Sequence, residues 1–231
     1  MVRASPKKEE HRDVGTDPRS PRARPPCSVT FAGDGALVAG VRARNPAAMA
    51  ELHDRFARPV LRVLTRILGP DHELADVHHD VFVRALQSLD DLRDPEALPS
   101  WMVAIAVRTA HATIERRARR RKWLAFWSDE AAPEPAAPAL PADNDFVEAV
   151  RSTYAVLERI PAEERIAFSL RYIDGMELTQ VAAACGVSLA TIKRRLSRAE
   201  ARFQTMARRT PALAGYLSLE AEAKKEGPRG S

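Results

Sequence analysis

Apolar residues in this chain recur at three- and four-residue steps through two stretches, and nowhere alternate over the length of a strand. That spacing lays one apolar stripe along a helix, so the chain is restricted to an all-α architecture whose helices bury their stripes against one another. The longest stripe is Met49, Leu52, Phe56, Val60, Leu64 and Ile67. Asn45-Pro46 opens it as a cap followed by proline at the first helical position, and Gly69-Pro70 closes it. Pro59 falls inside and predicts a kink or a split. Upstream, Asp34 is placed to cap a short helix carrying Leu37, Val38 and Val41. Downstream, Asp71 is placed to cap a third helix with Leu74, Val77, Val81, Ala85 and Leu89 on one face. A fourth helix is predicted from near Ser100, with Trp101, Ile105, Ala106 and Ile114.

Three segments lack this pattern. Residues 1–30 hold five prolines and almost no large apolar side chain before Val29, which predicts a disordered arm. Residues 124–145 hold four prolines, five acids and no Lys or Arg, which predicts a semi-extended linker. Residues 210–231 begin at Thr210-Pro211 and end in KKEGPRGS, a polar tail. The expectation is two small helical domains, 31–123 and 146–209, joined by the Pro/Ala-rich acidic linker 124–145. Extended at ~3.1 Å per residue, the linker reaches ~68 Å.

Several function classes drop out. The longest apolar run is the seven residues from Trp101 to Val107, too short for membrane insertion. The start, MVRASPKKEE, has no apolar secretory core. The two cysteines, Cys27 and Cys185, are far apart, which excludes a disulfide framework and a cysteine-rich zinc site. The chain reads as cytoplasmic. Net charge is +5, and 30 of the 36 basic residues are Arg. An Ala- and Arg-rich composition also follows from GC-rich coding sequence, so placement rather than total charge carries the argument.

Six of the seven residues from Arg116 to Lys122 are cationic. Like charges one helical turn apart repel, and phosphates alongside relieve the repulsion. A basic run flanking a linker, or a clasp onto Asp129, Glu130 and Glu134, would explain it without an anion.

The most specific signal runs from Leu178 to Leu196, with helix-turn-helix spacing. Ala182 falls where two helices pack closely, and Gly186, four residues on, where the turn needs a positive φ. Ile192, Leu196, Ala199 and Phe203 form an inward stripe on the second helix. The outward positions are Thr191, Lys193, Arg194, Arg195, Ser197 and Arg198, suited to guanine edges and phosphates of a major groove. A plain helical hairpin would not need those cations. Cys185 takes a small apolar position, with redox sensing as its alternative use.

At these residues the chain resembles a sigma factor of the extracytoplasmic-function group of the sigma-70 family, the short kind with only a promoter −10 domain and a −35 domain. The resemblance covers about 34–122 and 150–204. In the second domain it rests on Leu157, Ile160-Pro161, Glu164-Arg165, Phe168, Leu170-Arg171-Tyr172, Gly175, Leu178, Val181-Ala182, Gly186-Val187-Ser188, Thr191-Ile192-Lys193, Arg195-Leu196 and Arg198-Ala199. In the first it rests on Ala57-Arg58-Pro59-Val60, Arg66-Ile67-Leu68-Gly69, the stretch from Ala75 to Ala85, and Trp101 to Ala106 followed by the Arg run.

The resemblance implies a protein that is not itself an enzyme, needs no cofactor or metal, and directs transcription initiation. It implies core RNA polymerase binding through 74–86, with Asp76, His79, Asp80 and Phe82, and −10 recognition and melting through Trp101, Arg108, Arg116, Arg117, Arg119 and Arg120. It implies −35 recognition through Ser188, Thr191, Lys193, Arg194, Arg195 and Arg198. The implied partners are core RNA polymerase, double-stranded promoter DNA, the melted −10 strand and an anti-sigma factor. Two turns of duplex span ~68 Å, so the linker is long enough to bridge elements that far apart.

Five positions depart from the family pattern. Gln is usual at His79 and Glu at Asp80, where the charge is kept. Asn is usual at Arg108 and Asp at Ala112, so the −10 preference should differ. Gln180 replaces a common Glu. The changes at Arg108 and Ala112 motivate one alternative, a helix-turn-helix regulator that does not initiate. A distant alternative is an HD-type metal phosphohydrolase, from His53-Asp54 and His78-His79-Asp80.

Overall fold

Asn45 accepts a hydrogen bond from the Ala47 amide at 2.9 Å, Pro46 occupies the first helical position, and α2 (Pro46–Leu68) begins there as the sequence predicts. The computed structural model describes residues 31–127 and 145–214, with side chains described to Leu124 in the first stretch. The predicted arm, the middle of the linker with Asp129, Glu130 and Glu134, and the end of the tail lie outside the described residues. Among the described residues every regular element is helical and none is a strand.

The stripe of α2 is buried at Leu52, Phe56, Val60, Leu64 and Ile67. Pro59 does not split the helix, contrary to one half of the expectation of a kink or a split. It is exposed, so water can take the carbonyl it frees while the buried side keeps its packing. Gly69 closes the helix with φ 82. Asp34 does not cap α1 (Asp34–Arg42) but is its first residue, after Gly33. Its carboxylate turns inward and meets Arg55 of α2 at 2.6 Å. Asp71 likewise caps the turn before α3 (Leu74–Ser88) rather than the helix, accepting from the Glu73 amide at 2.7 Å.

The long α4 (Leu98–Trp127) buries Met102, Ile105, Ala106, Ala110 and Ile114 against α2 and α3. It runs unbroken through the Arg cluster and four residues into the predicted linker. No proline or glycine lies between Lys122 and Trp127, so the backbone does not stop the helix at the end of the Arg cluster.

The C-terminal part comprises α5 (Asp145–Leu157), α6 (Ala162–Phe168), a wide π turn over Ser169–Ile173, α7 (Leu178–Cys185) and α8 (Leu189–Ala207). Gln180 reaches back to the Glu177 amide at 3.0 Å, so an amide oxygen closes the capping box as Glu would. Val181, Ile192, Leu196 and Ala199 are buried, and the Phe168 ring lies 4.8 Å from Phe203 and 4.9 Å from Tyr172. The two helical parts are not held apart by a linker. One buried apolar cluster runs from Leu37 in α1 through Leu64 and Met102 to Ile166, Leu170 and Ile192.

Gly186 has φ 64, and a Cβ there would meet no atom within 4 Å. Gly186→Ala should therefore cost only the backbone penalty, about 1–2 kcal/mol in chemical denaturation, and Gly186→Asn should cost less. A destabilisation well beyond that range would show that the turn is limited by packing and not by φ.

Candidate nucleic-acid interface

Ser188 starts α8 by accepting from the Thr191 amide at 3.2 Å, and the two hydroxyls lie 3.0 Å apart. Both side chains therefore shape the start of the helix. Beyond them Lys193, Arg194 and Arg198 are exposed, and none is in an ion pair with another described residue. Arg195 behaves differently from its predicted neighbours. Its guanidinium sits 2.7 Å from Glu163 of α6, its side chain is only 17 % exposed, and it flanks the outward face instead of standing on it.

The same division occurs on α4. At 100° per residue, Trp101, Arg108, Ala112, Arg116 and Arg119 fall along one side of the helix. Arg108, Arg116, Arg119 and Arg120 are exposed and unpaired among the described residues, while Trp101 is half-buried. Arg117 is tied down by Asp71 at 2.7 Å and Glu73 at 2.8 Å, fixing α4 to the turn before α3. It holds the scaffold, whereas the four free guanidinium groups form an open cationic stripe whose donors could take anions. Ala112 leaves a smooth gap in that stripe.

On α3, Asp76 and His79 are exposed and Asp80 is half-buried, opposite the buried Val77 and Val81. Phe82 is 7 % exposed, with the rings of His53 and His78 at 4.8 and 5.1 Å. It supports this face from beneath. His78 Nε2 lies 3.0 Å from the Ala57 carbonyl, and among the described residues no three His, Cys, Asp or Glu side chains converge as metal ligands would.

Sequence reasoning gave Arg165 no role. It is 4 % exposed and donates to the Ile67 and Leu68 carbonyls at 3.0 and 3.1 Å. Burial lowers its pKa to about 10, which leaves it cationic at neutral pH. The available signal was its place in Ile160–Leu170, where an Arg among Ala162, Ile166, Ala167 and Leu170 must find buried acceptors. Tyr172, whose hydroxyl binds Glu200, was also missed; burial and that bond push it up to about 12.

The Sigma-70 region 2 family model matches residues 52–122, and the Sigma-70, region 4 model matches residues 151–203. The ECF RNA polymerase sigma-E factor of Escherichia coli K12 is 27% identical over 172 residues, covering 72% of this chain and 90% of that protein. The RNA polymerase sigma-H factor of Pseudomonas aeruginosa is 24% identical over 179 residues, covering 74% and 92%. Among solved structures, CnrH in complex with the cytosolic domain of CnrY aligns with a TM-score of 0.51 at 20% identity, over 77% of this chain and 98% of that one, a likeness of fold. Two helical units, one with an Arg-lined helix and one with a helix-turn-helix, define a transcription initiation factor. The chain belongs to the extracytoplasmic-function group of the sigma-70 family and is an RNA polymerase sigma factor. No described helix is long and apolar enough to cross a membrane.

Burial pushes the Cys185 thiol up to about 11, although Arg195 pulls it the other way. That shift from 9.0 leaves a thiolate fraction about a hundredfold smaller at neutral pH. In a Cys27→Ser variant, Cys185 should alkylate at least about tenfold slower than in the denatured chain. Equal rates would restore a redox role.

Proposed function

We propose that the two units divide the work of initiation, the first over 31–123 and the second over 146–209. Asp76, His79 and Asp80 on α3, held up by Phe82, form the surface for core RNA polymerase. An exposed acidic face on a firmly packed helix suits a basic partner. Trp101, Arg108, Arg116, Arg119 and Arg120 take the −10 element and its melted strand, with Arg117 fixing their helix. Ser188, Thr191, Lys193, Arg194 and Arg198 enter the −35 major groove, with Arg195 at its flank. The observation that carries this reading is the unpaired cationic stripe on α4 together with a second one on α8, within regions matched by the sigma region 2 and region 4 models. The protein acts inside the cell, where promoter and polymerase are. Family membership also supports an anti-sigma factor as a partner.

Reconstitution with bacterial core polymerase and run-off transcription on genomic fragments tests the whole reading. Initiation that requires this chain is expected; absence of any complex with core would favour a helix-turn-helix regulator. Asp76→Lys with Asp80→Lys should weaken core binding and leave binding of a −35 duplex unchanged. Equal weakening of both would refute the division of roles. Lys193→Ala with Arg198→Ala should lower the salt slope of −35 binding by about one for each phosphate that the variant no longer reaches. An unchanged slope would remove these residues from the interface.

A further inference from the structure

At the seam between the two helical parts, α4 packs against α6 and α7 and leaves a cavity of about 300 Å³. Its floor is apolar. Val107 of α4 and Ile166 of α6 are 3 % and 2 % exposed there, and the half-buried Cys185 and Val187 line it from the end of α7 and the turn that follows. Burial keeps the Cys185 sulfur a neutral thiol at neutral pH, so it adds no negative charge to this floor.

The rim is cationic. Arg195 and Glu163 stand on it as an ion pair at 2.7 Å and neutralise each other. Arg108 has no such partner: it is exposed, with no hydrogen bond or ion pair to any described residue. His111, on the same side of α4, is half-buried and also has no polar partner among the described residues. An unpartnered guanidinium and an unpartnered imidazole therefore open onto an apolar recess whose one carboxylate is already neutralised.

Those groups select a ligand by its chemistry. A guanidinium fork takes a planar carboxylate through two parallel hydrogen bonds. A hydrated inorganic ion would satisfy Arg108 and leave the apolar floor wet, whereas a neutral apolar molecule would cover the floor and gain nothing from Arg108. About 300 Å³ is at the small end of ligand cavities, so the apolar body is compact. A flat ring system gives that body contact area with little internal rotation to lose.

We propose that this cavity is a binding site for a small aromatic carboxylate, held by Arg108 and His111 at its charged end and by Val107, Ile166, Cys185 and Val187 along its ring. The site goes beyond the sigma-factor reading. On that reading Arg108 also serves the −10 strand, so ligand and strand exclude one another at its donors.

The test uses the full chain and 1-naphthoate as the probe, titrated at constant ionic strength, with the bound fraction read by equilibrium dialysis. One saturable site per chain is expected. 1-Naphthalenemethanol, which keeps the rings and lacks the charge, should bind at least about tenfold more weakly. Inorganic phosphate at equal concentration should not displace the probe. Arg108→Gln changes an exposed side chain without partners, so the fold is kept; it should weaken naphthoate about tenfold and leave the alcohol unchanged. Val187→Phe should fill the cavity and abolish binding of both, with circular dichroism showing the helices intact. Binding without saturation overturns the proposal, as does naphthoate binding that neither substitution alters. Alcohol binding as tight as that of naphthoate would reduce the site to an apolar void, and displacement by phosphate would reduce it to a plain anion contact; either result overturns it too. None of these readouts involves transcription, so failure of run-off with core would sink the sigma-factor reading and leave the site standing, and the reverse holds as well.

Discussion

The contact on which the arrangement of the molecule depends is the buried guanidinium of Arg165 at the end of α2. A planar fork with fixed donors can serve two successive carbonyls at once, and here Nε reaches Ile67 while a terminal nitrogen reaches Leu68. A lysine in that place would be a point charge without the second aligned donor. The cation costs free energy to bury, and the helix end offsets it because its carbonyls and dipole both favour positive charge. Tyr154 reaches the preceding carbonyls of the same turn, and Asp174 pairs with Arg62 of the same helix.

Arginine in this chain has two separable uses. Arg55, Arg117, Arg165, Arg195 and Arg202 each meet a carboxylate or a carbonyl within 3.1 Å and hold elements together. Arg108, Arg116, Arg119, Arg120, Arg194 and Arg198 reach solvent and are unpaired among the described residues. Only the second set leaves its donors free for phosphate. The two sets are neighbours in sequence, Arg116 beside Arg117 and Arg194 beside Arg195, because successive helical residues point about 100° apart.

That is also why the sequence was informative about elements and less so about charges. Periodicity located α2, α3 and α8 because burial repeats with the helical turn, and Gly186 marked its turn because positive φ favours glycine. Asn45 acted locally, and its role was readable. Asp34, Asp71, Arg117 and Arg195 looked like caps or surface groups because their partners, Arg55, Arg117, Glu73 and Glu163, lie on other elements or across a turn. A cation's partner depends on tertiary packing, to which a one-dimensional pattern is blind. The docking of the two units was hidden for the same reason, since a proline-rich acidic stretch reads as a spacer whether or not its ends come together.

The seam adds polar contacts to an apolar cluster that both parts share. Its hydrogen bonds end on main-chain carbonyls, a hydroxyl and a guanidinium, all of which water can satisfy once the units part. Its cavity is lined by Arg108, His111 and Arg195 as well as Ile166 and Val187. Parting would leave those groups to water, but it would also cut the buried apolar cluster that runs from Leu64 and Met102 to Ile166 and Leu170, each at most 2% exposed. The unpaired arginines on α4 and α8 lie outside those hydrogen bonds, so holding the two parts together leaves their charge unneutralised by the protein.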